Sequence, residues 1–245
     1  MSSTPEATDA VLGGEPPVLR VEQLSLPTGD PDAAAEVRRE LRRRASEAGA
    51  TVLELEVGAD DAARAAVAAG TRLLGERMRK ALPPQPQVPD GVAWRSLTEA
   101  ELGPWQERQV ALYAQDGLDG FGGDLELALA DARQDFVRLL PDGLRTPDTS
   151  LVVLAADGER VGHLWVRHHQ RPGMSYVFDV EVDEAHRGRG HGRSAMLVAE
   201  LLARRAGDDV LGLHVFGWNT VARRLYRSLG YELRTSTHDL LAPAR

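Results

Sequence analysis

The stretch from residue 177 to residue 207, VFDVEVDEAHRGRGHGRSAMLVAELLARRAG, constrains this chain more than any other. An alternating apolar run to Val182 reads as a strand, and a short polar bend carries the chain to Arg187. Glycines then recur at Gly188, Gly190 and Gly192, and an apolar-periodic run reads as a helix that stops at Gly207. A strand that enters a helix through such a turn aims several backbone N–H groups, and the positive end of the helix dipole, at one place. That place suits an anion, above all a phosphate. Arg187, Arg189 and Arg193 add positive charge beside it, and the missing glycine side chains let the anion approach the backbone.

The spacing excludes two familiar phosphate loops. Gly188, Gly190 and Gly192 followed by Arg193 and Ser194 fit neither G-x-G-x-x-G nor G-x-x-x-x-G-K-[ST]. They do contain R-x-x-G-x-G, with Arg187, Gly190 and Gly192 in the defining places. Downstream, Asn219, Ala222 and Tyr226 form N-x-x-A-x-x-x-Y and are followed by Leu229, Gly230 and Tyr231. In both runs the chain resembles the GCN5-related N-acetyltransferases, the GNAT superfamily.

The resemblance implies an α/β (α+β) GNAT fold, a mixed and mostly antiparallel central sheet flanked by helices. It also implies acetyl-coenzyme A as co-substrate, with the acetyl group passing to a primary amine by direct attack on the thioester. The pantetheine arm would pair with main chain at Val180, Glu181 and Val182, as an added strand does. The diphosphate would sit on the loop of Arg187, Gly188, Arg189, Gly190, His191, Gly192, Arg193 and Ser194. Asn219 and Ala222 would complete the binding set, with Asn219 also a strong N-cap. Tyr226 would protonate the departing thiolate, since a phenol with a pKa of about 10 keeps its proton at neutral pH. The bland alternative for Tyr226 is a core residue whose hydroxyl is satisfied by a neighbour. For the base that takes a proton from the amine, Glu181 and Asp179 on the central strand and His214 on the next one all stay open. Leu197, Val198, Leu201 and Leu202 read as the core face of the helix after the loop. A non-catalytic acyl-coenzyme A sensor or interaction module is the competing reading of the whole chain.

Composition narrows the partners. The 245 residues carry 29 Lys plus Arg against 37 Asp plus Glu, a balance of −8 that argues against a general nucleic-acid binder. With no cysteine there is no disulfide and no thiolate nucleophile, and no His/Asp/Glu spacing suggests a metal. No apolar run approaches membrane-spanning length and the first residues do not read as a signal peptide, so cytoplasm is the expected location. The expected acceptor is a small-molecule or peptide amine, and the expected state a monomer or homodimer.

Residues 1–17 read as a flexible tail, and residues 18–82 as a truncated unit with strand, helix, strand, helix and strand in order. Asp32 is placed to cap the first helix, and Val37, Leu41 and Ala45 share one of its faces. This order repeats that of the chain's last third, without the glycine loop, so the unit reads as a degenerate half-copy. Residues 83–90, rich in proline, read as a stiff linker, and 91–245 as the complete acetyltransferase domain. Asp157-Gly158 is a hairpin signal, residues 116–123 read as a mobile loop, and His168, His169 and Gln170 as an exposed turn.

Overall fold

The computed structural model describes residues 10–15, 18–24, 31–121 and 123–244. Its elements run β1 (Ala10–Glu15), β2 (Val18–Leu24), α1 (Pro31–Glu47), β3 (Val52–Gly58), α2 (Ala62–Ala68), β4 (Thr71–Ala81), β5 (Val92–Ser96), α3 (Glu99–Phe121) and α4 (Leu125–Leu139). They continue as β6 (Thr149–Ala156), β7 (Glu159–Arg171), β8 (Met174–Val182), α5 (His191–Arg205), β9 (Val210–Phe216), α6 (Thr220–Ser228) and β10 (Glu232–Pro243). Two compact units divide the chain. One holds Met1–Met78, His214–Arg224 and Glu232–Arg245, and the other Arg79–Leu213 and Leu225–Tyr231.

In the first unit the strands lie in the order β1-β2-β3-β10-β4. β2 and β3 are parallel because the crossover helix α1 joins them, and β10 runs antiparallel to β3. Ala34, Val37, Leu41 and Ala45 on α1 pack with Leu53, Leu55 and Leu240, so the spacing by four found the buried face. In the second unit the order is β9-β8-β7-β6-β5, with β8 parallel to β9 and the other pairs antiparallel. Its core joins Trp105 and Phe136 of α3 and α4 to Leu151, Val153 and Trp165 of the sheet. Asp157 (φ 51°) and Gly158 (φ 84°) both take the left-handed conformation of a two-residue hairpin, as expected.

Several expectations need correction. Ala10–Glu15, expected within a flexible tail, forms β1, because Ala10 and Leu12 pack on the first unit's core while the strand pairs with β2. The rest of that tail, residues 1–9 and 16–17, lies outside the described residues. Asp32 sits inside the first turn of α1, which begins at Pro31. The loop expected at 116–123 is helical to Phe121, where α3 extends through two glycines and Gln115 donates to Asp119 one turn on, at 2.8 Å. His168–Gln170 is no turn, because β7 continues to Arg171 and returns through Gly173. His168 is buried there between Ser150 Oγ (2.8 Å) and Ser175 Oγ (3.0 Å). On α5 only Val198 of the four expected core residues is fully buried, and Ala195, Met196, Ala199, Glu200 and Ala203 share its stripe. The units also divide away from the proline-rich segment: the chain's final strand, β10, belongs to the first unit because it pairs with β3 from Thr235↔Gly58 to Asp239↔Glu54.

Candidate active site

The loop after β8 takes the form its glycines allow. Asp183 donates its N–H to Val161 O, one turn of 3-10 helix spans Glu184–His186, and Gly188 and Gly190 have φ of 76° and 88°. A side chain would be strained at both positions. Gly190 is the N-cap of α5 and no side chain caps the helix, so its first N–H groups are left facing outward. Gly192 serves another purpose: a Cβ there would stand 3.2 Å from Leu225 Cδ2 and 4.0 Å from Val182 Cγ2. Its absence lets α5 start close against its neighbours. Arg187 Nε donates to Val182 O at 3.1 Å and Arg193 to Ser228 Oγ at 2.6 Å, while Arg189 is exposed. The turn presents backbone donors backed by three cations, which is what an anion requires.

Immediately upstream, β8 leaves its parallel neighbour. Pairing with β9 runs from Met174↔Val210 to Val177↔Leu213 and stops, while pairing with β7 continues to Val182. A bulge makes Phe178 the extra residue between Val177 and Asp179. Among the described residues of this unit, one edge of Val180–Val182 has no partner strand. An extended ligand could pair with that edge.

On the other register of β8, Asp179 and Glu181 turn toward a histidine that sequence reasoning missed. His163 of β7, 1% exposed, stands opposite Glu181. Its Nε2 lies 2.5 Å from Asp179 Oδ2 and 3.8 Å from Glu181 Oε2. Gln109 of α3 brings its amide nitrogen 3.1 Å from the same Nε2 and 3.5 Å from Glu181 Oε2. Arg108 also donates to Glu181, and Arg187 stands 3.9 Å from it. The two carboxylates are thus held differently: Glu181 by two guanidinium groups and an amide, Asp179 by the imidazole. A clue to His163 was present in VGHLWV, a polar ring inside a buried apolar run. Gly162 before it permits the approach, since a Cβ there would fall 2.0 Å from Glu181 O. Nothing local marked Arg108 or Gln109.

The surroundings sharpen the charges. Trp105 meets His163 edge-on at 6.0 Å and Trp165 at 5.6 Å, and Trp165 stacks on Phe178 at 5.0 Å, so an aromatic wall closes the site behind. Tyr113 donates to Phe178 O at 2.8 Å and ties α3 to the bulge. Tyr226 on α6 is 6% exposed, and burial, with the charge of Asp179 second, pushes its phenol up to about 12. Asn219 caps that helix through its side-chain oxygen, 3.0 Å from Ala222 N, as its residue type foretold. His214, the third candidate base, belongs to the first unit, where its ring meets Phe216 edge-on at 5.3 Å.

Asp116, on the stretch expected to be a loop, has its carboxyl pushed up from 3.8 to about 6 by burial, then by Asp119 and Asp179. Because the folded value exceeds the unfolded one, the folded protein binds the proton more tightly, and this contribution to stability is present below about pH 4 and lost as pH rises through 6. Asp116→Asn is therefore expected to raise the melting temperature relative to wild type at pH 7.5 and to change it little at pH 4. Paired thermal melts at the two pH values check this.

No group of three or more His, Cys, Asp or Glu among the described residues could hold a metal, and no described helix is long and apolar enough to cross a membrane. Residues 96–231 match the model of the acetyltransferase (GNAT) family. The uncharacterized N-acetyltransferase YycN of Bacillus subtilis is 35% identical over 106 residues, 41% of this chain and 67% of that protein. Mycothiol acetyltransferase of Clavibacter sepedonicus is 33% identical over 172 residues, 69% of this chain and 49% of that protein, so the chain spans about half its length. The crystal structure of YycN superposes with a TM-score of 0.54 at 28% identity, over 58% of this chain and 92% of that one. A GCN5-related N-acetyltransferase from Sphaerobacter thermophilus shares the fold over 97% of this chain and 77% of its own, with a TM-score of 0.56 at 15% identity. A family match across more than half of the chain, laid on the strand, glycine turn and helix described above, makes this protein an acyltransferase of the GNAT family.

Proposed function

We propose that the second unit transfers an acetyl group from acetyl-coenzyme A to a primary amine by direct attack. The observation that carries this reading is geometric: a glycine turn with an uncapped helix start follows directly on Val180–Val182, whose one edge has no partner strand in this unit. Asp179 on that strand is offered as the base and Tyr226 on α6 as the acid. The N–H groups of residues 188–192 and the cations around them suit the diphosphate, and the free edge of Val180–Val182 suits the amides of the pantetheine arm. Main-chain N–H groups at that edge can polarise the thioester carbonyl.

Asp179 is the base in this scheme and Glu181 is not, because Glu181 is already engaged by Arg108 and Arg187. Asp179 takes one proton from the ammonium form of the acceptor, and the freed nitrogen attacks the thioester carbon. As the C–S bond breaks, Tyr226 gives its proton to the sulfur and recovers one from the nitrogen. One proton leaves with the acetylated amine and free thiol as products. Curated relatives named for N-acetyl transfer and for mycothiol support a small amine-bearing acceptor.

The first unit is read as a half-copy of the same fold. β2, α1, β3, α2 and β4 follow the order of β8, α5, β9, α6 and β10, and each series opens on a parallel strand pair. It lacks the glycine loop, so no chemistry is assigned to it.

Release of free thiol from acetyl-coenzyme A, followed across a panel of amines, tests the proposal alongside calorimetric titration with coenzyme A. Amine-dependent thiol release is expected. Binding of coenzyme A without thiol release for any amine would make the protein a sensor, and a flat titration would remove both readings.

A further inference from the structure

We infer that His163 is a positioning residue of this transfer: its buried imidazole aims Asp179 by donating Nε2–H to one carboxylate oxygen, and leaves the other to take up the proton of the amine. The inference rests on the function proposed above. With the Gln109 amide turned to donate to Glu181, its NH2 group also faces His163 Nε2, at 3.1 Å. With Asp179 in the carboxylate form its role requires, the contact between Nε2 and Oδ2 at 2.5 Å holds a single proton that the ring donates. The other ring nitrogen, Nδ1, is buried with no hydrogen-bond partner. Leaving it so costs stability, and a residue needed only for packing would do better as an apolar one. What the imidazole gains in return is its hold on Asp179.

The groups facing the ring are few. β8 presents Asp179 and Glu181, α3 presents Gln109 and the edge of Trp105, and the cations Arg108 and Arg187 reach it only through Glu181. Glu181 is therefore neutralised from outside, and the imidazole is left to Asp179. In the turnover, the proton that leaves the amine arrives on Asp179 Oδ1, while Oδ2 goes on accepting the Nε2–H of the ring. No bond changes at His163 itself.

Two variants and a spectrum test this. His163→Leu removes the partner, whereas the amide of His163→Gln can still donate to Asp179. In His163→Leu we expect kcat to fall about 100-fold, with coenzyme A affinity within about twofold of wild type. His163→Gln, which keeps a donor to Asp179, should recover most of that rate. Equal kcat in wild type and His163→Leu, or equal losses in both variants, overturns the inference. The ring nitrogens of His163, observed by 15N NMR in the full-length protein, should shift strongly in Asp179→Asn, and an unmoved signal also overturns it. The spectrum reads the pair without turnover, so a protein that binds coenzyme A but transfers nothing would refute the proposed function and leave the His163–Asp179 coupling to be judged separately.

Discussion

Tyr226→Phe is expected to lower kcat by about 10²- to 10³-fold while leaving coenzyme A affinity unchanged, because it removes one proton donor and almost no surface. Burial and the charge of Asp179 raise the phenol to about 12, so it stays protonated through the neutral range and is available as an acid. The ring itself packs 5.9 Å from that of Tyr231, a contact phenylalanine keeps. Stability should therefore hold while rate falls, and steady-state kinetics beside a thermal melt separate the two. Should kcat survive, the sulfur leaves without help from this residue, and Tyr226 is the core aromatic its helix position also allows.

Lys80→Met is expected to destabilise the fold by about 3–5 kcal/mol, the loss that follows when one member of a buried ion pair is deleted. Lys80 Nζ lies 2.7 and 2.9 Å from the two carboxylate oxygens of Glu200, whose side chain is 1% exposed against 18% for the lysine. The ammonium also stands 5.8 Å over the ring of Tyr231. Taking it away leaves a charge in the apolar stripe of α5, where water cannot reach to solvate it. In Lys80→Met/Glu200→Leu the buried charge is gone as well, and most of the lost stability should return. Urea denaturation, with midpoint and slope compared across the variants, checks both steps. A small loss in the single variant would mean that Glu200 takes up a proton or finds another donor.

The two motifs were legible because their rules are local. Glycine at a left-handed φ, an uncapped helix start and a two-residue spacing along β8 each involve neighbours in the chain, so Gly188, Gly190, Asn219 and the shared face of Asp179 and Glu181 could be read directly. Local reading failed where a local preference was weak and packing overruled it. Two glycines and two aspartates at 116–121 suggested a loop, yet they lie on α3, and a pair of histidines that suggested a turn lies inside β7. A helix pays only about 1 kcal/mol for a glycine, which neighbouring turns readily offset.

What the sequence determined alone is the strand, glycine turn and helix, the tyrosine helix after it, and through these the acyltransferase family. The tertiary structure alone decided what each carboxylate meets. It brings Arg108 and Gln109 to Glu181 across 73 and 72 residues of chain, and His163 to Asp179 from a different strand. No period or spacing encodes such meetings, because they arise when separate apolar faces are buried together and carry their polar neighbours with them.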